Sequence, residues 1–168
     1  MGRLFVTLVR HAKSSWEDPT LADHERPLNH RGRAAAEDMA RRALHEGWAP
    51  DLLLASTAVR TCETAAYFQD VFDLPDRRVQ TVAGLYNASP DTLLKVIQGI
   101  PADATDVLVF AHNPGLEDLA ATLAGRPLHF PTCAVARFAC SAAAWSRMKP
   151  ADLELLHHDF PKNPSLED

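Results

Sequence analysis

A chain of 168 residues with 46% hydrophobic and 23% charged residues is long enough for one packed core and too apolar to stay disordered. A formal net charge of -5 argues against a general nucleic-acid binder, which shows a basic face, but leaves room for a local positive pocket. The cysteines Cys62, Cys133 and Cys140 form no close pair, so neither a disulfide framework nor a zinc site is expected, and reduced thiols fit a cytoplasmic protein.

The apolar run Leu4 to Val9 is too short for a signal peptide or a membrane span and reads as a buried strand. Residues 12–29 are polar and without clear period, long for a plain connection. A helix is predicted after Asn29, with Ala36, Met39, Ala40, Ala43 and Leu44 on its apolar face and Gly47 as its stop. Asp51 to Ala55 reads as the second strand. Ser56 or Thr57 is the expected cap of a helix running to about Phe72. Arg78 to Val82 fits a short edge strand. Ser89-Pro90 opens a helix with Leu93, Val96, Ile97 and Ile100 as its stripe. Asp106 to Ala111 is a further buried strand, and Asn113-Pro114 repeats the cap-plus-proline start of a helix that ends at Gly125. Residues 133–139 and 152–157 read as two more strands. Strands alternating with helices predict an α/β sandwich with a mostly parallel sheet, and no linker divides residues 1–168, which we expect to form a single domain.

In open α/β sheets, ligands gather beyond the C-terminal ends of the strands. There the predicted strands end in Arg10-His11, lead through Ser56-Thr57 to Arg60, and end in His112. A cation in the first turn of a helix, as Arg60 is, opposes the macrodipole unless an anion binds there. Burying Arg10 likewise needs an anionic partner. A phosphoryl group supplies it, and neighbouring positive charge keeps the His11 imidazole neutral and able to attack phosphorus. His112 stands where it can donate to a phosphoryl oxygen. No metal-ligand spacing is visible, and the adjacent pair His157-His158 reads as incidental. Lys13, Ser14, Ser15 and Trp16 follow His11 closely and are expected at the pocket mouth.

The segment Arg10-His11-Ala12-Lys13-Ser14-Ser15-Trp16 carries a family resemblance. So do Arg26-Pro27-Leu28-Asn29 with Arg31-Gly32, and Ser56-Thr57-Ala58-Val59-Arg60 with Thr64-Ala65. Leu85-Tyr86-Asn87-Ala88, Ala111-His112-Asn113-Pro114-Gly115, Pro131-Thr132 and Pro161-Lys162 complete the ordered set. The sequence resembles the SixA-like phosphohistidine phosphatases of the histidine phosphatase superfamily, with the phosphoglycerate mutase-like fold. The resemblance implies a three-layer α/β/α sandwich with a mixed sheet of about six strands, one running against the rest. It implies His11 as the phospho-accepting nucleophile, Arg10, Arg60 and His112 as the phosphate pocket, and Arg26 as an additional arginine beside it. It also implies a monomer.

Two departures stand out. The usual Arg-His-Gly is Arg-His-Ala here, and Ala111 replaces the usual glycine before the second histidine. Many larger relatives carry a glutamate acid after the third strand, where this chain reads Val82-Ala83-Gly84-Leu85. The proton donor is therefore open, with Asp18, Asp23 and Glu25 as candidates. The expected activity is metal- and cofactor-independent hydrolysis of a phosphohistidine protein through a phosphorylated His11, without membrane or nucleic-acid partners. The alternatives are a small-molecule phosphomonoesterase on the same scaffold and a non-catalytic phospho-ligand module; a pure binder would need no nucleophile.

Overall fold

The computed structural model describes residues 3–163. Six strands, β1 (Leu4–Arg10), β2 (Leu52–Ala55), β3 (Val79–Thr81), β4 (Asp106–Ala111), β5 (Val135–Cys140) and β6 (Leu153–Asp159), form one sheet in the order β3-β2-β4-β1-β5-β6. The pairs β1–β4, β2–β4 and β2–β3 are parallel, and β5 runs antiparallel to both its neighbours. This is the mixed sheet the resemblance implied, with one reversed strand.

Four helices cover the two faces: α1 (His30–His45), α2 (Val59–Phe72), α3 (Pro90–Gln98) and α4 (Gly115–Ala124). The side-chain period of two divides each strand between them. Val107 and Val109 of β4 join Leu93, Ile97, Leu116 and Leu119 of α3 and α4. Leu108 and Phe110 face the other way, into Ala36, Met39, Ala40 and Phe68 of α1 and α2. Every residue of β2, β4 and β5 is buried, and apart from Asp106 of β4 and Arg137 of β5 these strands read as apolar runs. At the end of the sheet away from the strand termini that carry Arg10 and His112, Arg137 of β5 makes a buried two-pronged pair with Asp106 of β4 (2.9 and 2.7 Å) and donates to Thr7 of β1 at 3.0 Å. No helix among the described residues is long and apolar enough to cross a membrane.

Several local expectations are corrected. The α2 N-cap is Ala58, without a side-chain cap, because Ser56 and Thr57 are engaged elsewhere. The α4 N-cap is Pro114, and Asn113 instead donates to the Phe130 carbonyl at 2.9 Å. Leu44 is 48% exposed, just off the buried face of α1. Strand β5 starts at Val135 rather than residue 133, since Cys133 sits at φ 62° with its N–H on the His11 carbonyl. By contrast, α1 starts directly after Asn29, which caps it, Ser89 caps α3 as expected, and Gly125 ends α4 in the left-handed conformation.

The polar stretch 12–29 folds back on itself. Ser14 and Leu28 form an antiparallel bridge, Ser15 N–H donates to the Pro27 carbonyl, and Asn29 N–H donates to that of Lys13. The first turn of α1 lies directly on the chain after β1: a Cβ at Gly32 would run into the Lys13 carbonyl oxygen. Helix α1 thus braces the segment that leaves the sheet at His11.

Candidate active site

Parallel pairing brings the two histidines side by side. Arg10 lies opposite Ala111 in the β1–β4 register, so His11 and His112 leave adjacent strands at the same level. His11 N–H donates to the Ala111 carbonyl at 3.2 Å, and the two ring centroids are 5.2 Å apart. Strand β2, on the other side of β4, delivers Ser56, whose N–H bonds the Phe110 carbonyl. Helix α2 then places Arg60 in its first turn.

His11 is 8% exposed. Its Nδ1 is 2.7 Å from the Ala12 carbonyl oxygen, which only accepts, so Nδ1 carries the proton and Nε2 keeps a free lone pair. Ala12 is itself fixed, its N–H donating to Thr64 Oγ1 at 2.9 Å. Burial pushes the His11 pKa from 6.5 down to about 3; His112, Arg60 and Arg10 push the same way, and the Ala12 hydrogen bond opposes them. The imidazole is thus neutral at neutral pH.

His112 is 4% exposed, and burial followed by Arg60 lowers its pKa to about 4. Arg60 donates to its Nδ1 at 3.5 Å. A consistent assignment then has Nε2–H donating to Ser56 Oγ (2.6 Å), Ser56 donating to Thr61 Oγ1 (2.7 Å), and Thr61 donating to the Ala58 carbonyl (2.7 Å). Ser56, expected as a helix cap, is a support of this histidine.

Arg60 is buried and reaches the short turn Asp23–Glu25, donating to the Asp23 carbonyl at 2.7 Å and to its Oδ2 at 2.9 Å. Tyr86 donates to the same Oδ2 at 2.5 Å, and Arg26 approaches Oδ1 at 3.4 Å. The Tyr86 hydrogen bond, with Arg60 and Arg26, holds the Asp23 carboxyl down at about 2. The same contact raises the Tyr86 pKa, so the phenol stays a donor. His24 completes this side, bonding Thr57 Oγ1 at 2.7 Å and meeting the Tyr86 ring edge-on. The Arg26 guanidinium is buried with its carbon 3.5 Å from the centre of the Trp16 ring, while Trp16 is 77% exposed. Arg10 donates to the Phe130 carbonyl at 3.2 Å; burial lowers its pKa, Glu117 in the first turn of α4 opposes this, and Arg60 adds to it.

The structure therefore brings together Arg10, His11, Arg60 and His112, and joins Arg26 to them through Asp23. Four buried guanidinium nitrogens of these arginines lack a hydrogen-bond partner: Nε of Arg10, Nε of Arg60, and Nε and one terminal nitrogen of Arg26. Donors buried without acceptors are costly, and an oxyanion with several oxygens is the complement they fit. Of the three carboxylates considered as proton donors, only Asp23 reaches the cluster, and it is held ionised there. Asp18 is exposed and tied to Thr20. Glu25 is exposed as well. Ser14 is buried in the bridge to Leu28, so of the segment after His11 the exposed side chains are those of Lys13 and Trp16, with Ser15 half-buried. Tyr86, Ser56 and His24 were not legible as site residues, since nothing in a lone tyrosine or serine marks a partner many residues away. The pair His157-His158 is dispersed: His157 meets Trp48, and His158 bonds the His129 carbonyl.

Comparison with known proteins points to one family. Residues 6–89 match the sequence model of the Histidine phosphatase superfamily (branch 1). An uncharacterized chloroplastic protein of Arabidopsis thaliana is 33% identical over 148 residues, 83% of this chain and 68% of that protein. An uncharacterized protein of Mycobacterium tuberculosis is 37% identical over 122 residues, 69% of this chain and 70% of its own. A solved structure from Nakamurella multipartitia, assigned as the phosphohistidine phosphatase SixA, superposes with a TM-score of 0.83 at 26% identity, covering 97% of this chain and 99% of that one. One from Agrobacterium tumefaciens with the same assignment gives 0.78 at 28% identity, covering 94% and 98%. The chain belongs to the histidine phosphatase superfamily, as a SixA-like member with the phosphoglycerate mutase-like α/β fold.

Proposed function

We propose that residues 1–168 act as one histidine phosphatase domain that hydrolyses protein phosphohistidine, without a metal, through a phosphorylated His11. The observation that carries this reading is the pairing of a free His11 Nε2 lone pair with four partnerless guanidinium nitrogens on Arg10, Arg26 and Arg60. In the first step the Nε2 lone pair attacks phosphorus and the substrate's P–N bond breaks. The leaving imidazole takes its electron pair and is neutral because its other nitrogen has been protonated. In the second step the oxygen of water attacks the phosphorus of phospho-His11 and forms a P–O bond, the P–Nε2 bond breaks with its electron pair returning to Nε2, and the water's protons leave on the released phosphate or pass to solvent.

Phosphoryl transfer asks mainly for positioning and charge stabilisation. A bound phosphoryl group carries about -1.5 to -2 charges. Arg10, Arg60 and Arg26, less the ionised Asp23, leave a balance of matching size. The incoming dianion favours protonation of His112, which turns Nδ1 from acceptor to donor toward a phosphoryl oxygen. The absence of a protonated carboxyl in the cluster favours a substrate whose leaving group is protonated from solvent before its bond to phosphorus breaks, as the ring of phosphohistidine is and the bridging oxygen of an alkyl ester is not.

Rapid-quench labelling with phosphohistidine substrate tests the proposal. An acid-labile phosphoenzyme is expected in the wild type and is absent in His11→Ala. Turnover without such a species, or alkyl phosphomonoesters hydrolysed far faster than phosphohistidine, would overturn it.

A further inference from the structure

Beside the phosphoryl site lies a second cleft of about 630 Å³. Its cations are Lys13, Arg31 and Lys162, and Pro131, Phe160 and Pro161 supply apolar wall. The two sites share their framework. Lys13 comes two residues after His11. The segment carrying Pro131 also carries Phe130, whose carbonyl accepts from Arg10, and it runs into Cys133, whose N–H bonds the His11 carbonyl. Arg31 stands in the first turn of α1, whose Gly32 rests on the Lys13 backbone.

The charge around this cleft is opposite to that of the chain. The sequence has 22 acidic and 17 basic residues. Yet none of the residues lining the cleft is acidic, and no ion pair among the described residues involves Lys13, Arg31 or Lys162. These cations differ from the arginines of the phosphoryl site in kind. Arg26 and Arg60 are buried and both reach Asp23, and Arg60 lies with Arg10 beside the two histidines, a compact arrangement suited to a small oxyanion. Lys13, Arg31 and Lys162 are exposed and come from three separate segments spaced around apolar wall. That layout suits carboxylates distributed along a protein segment with an apolar side chain between them.

We propose that this cleft docks an acidic, partly apolar segment of the phosphorylated protein and so presents its phosphohistidine to His11. The inference rests on the phosphohistidine-protein reading and deepens it by naming what surrounds the phosphoryl group on the substrate. Exposed charge pairs act weakly and are screened by salt, so the cleft confers preference and encounter rate more than tight binding.

The test uses two labelled peptides of equal length that carry a non-hydrolysable phosphohistidine mimic. One is flanked by Glu, Asp and Leu, the other by Ser, Asn and Leu. Affinity is read by fluorescence anisotropy for the wild type, for the double variant Arg31→Glu/Lys162→Glu, and for the milder Arg31→Gln/Lys162→Gln, with phosphoramidate hydrolysis as the basal activity. The acidic peptide is expected to bind the wild type about 3- to 10-fold more tightly than the neutral one, an advantage that shrinks with salt. The charge reversals abolish that advantage, the neutral replacements reduce it, and phosphoramidate hydrolysis is unchanged in both. Equal affinity of the two peptides for the wild type, or full preference in the double variants, overturns the proposal. A preference that depends on Arg31 and Lys162 in a protein that releases no phosphate from phosphohistidine peptides overturns the catalytic reading alone and upholds the docking cleft.

Discussion

Lowering the pH from about 8 to about 5 separates a buried, unprotonated His11 from an ordinary one. With a pKa of about 3 in the folded chain against an ordinary 6.5, about 1% of His11 is protonated near pH 5, where an unperturbed histidine is about 97% charged. The unfolded chain therefore binds more protons in this window, and stability falls as the pH falls. Integrating from above pH 6.5 down to about pH 5 gives a loss of about 2 kcal/mol for His11. His112, also depressed, to about 4, adds a loss of nearly the same size, about 2 kcal/mol. Two measurements check this. Long-range proton–nitrogen NMR of the imidazoles should show His11 untitrated across that window, protonated on Nδ1 and bare on Nε2. Urea unfolding at both pH values should show the wild type losing about 2 kcal/mol more than His11→Asn on acidification. A His11 that titrates near 6.5, or a ring protonated on Nε2, would refute the argument for a preset nucleophile.

Three further outcomes follow from particular contacts. Asp23→Asn removes the carboxylate that competes with phosphate for Arg60, so the inhibition constant of inorganic phosphate should fall by about 5-fold, roughly the worth of one exposed ion pair; weaker phosphate binding would mean that Asp23 holds Arg60 in place instead. Gly32→Ala drives a methyl group into the Lys13 carbonyl, and urea unfolding should show a loss of about 1–3 kcal/mol, with reduced turnover because Lys13 is continuous with His11. Trp16→Ala removes the ring from the Arg26 guanidinium. Because Trp16 is 77% exposed, melting should hardly change, while KM rises by about 2- to 5-fold, in line with an exposed cation–π contact; unchanged kinetics on every substrate would exclude it from the site.

The fold was legible because its signals are local. Buried parallel strands announce themselves as apolar runs, and His11 and His112 follow two of them directly, so pairing β1 with β4 already sets the histidines together. The loop was not legible, since the fold of residues 12–29 depends on a bridge between Ser14 and Leu28 and on α2 beneath it. Ser56 shows the same limit: a serine before a helix reads as a cap, and only His112, 56 positions away, takes it for another purpose. Asp23 carries the point into mechanism. The sequence places four carboxylates, Glu17, Asp18, Asp23 and Glu25, in one loop and offers no means of choosing among them. The choice is made by Tyr86, 63 positions away, and by Arg60. The contacts that bring Asp23 to the phosphoryl site are also those that hold it ionised at about 2. A carboxyl so held cannot give up a proton at neutral pH, so the site that selects it also removes it as an acid. On the proposed phosphohistidine reading the leaving imidazole carries its own proton, so the loss of Asp23 as an acid fits that substrate class.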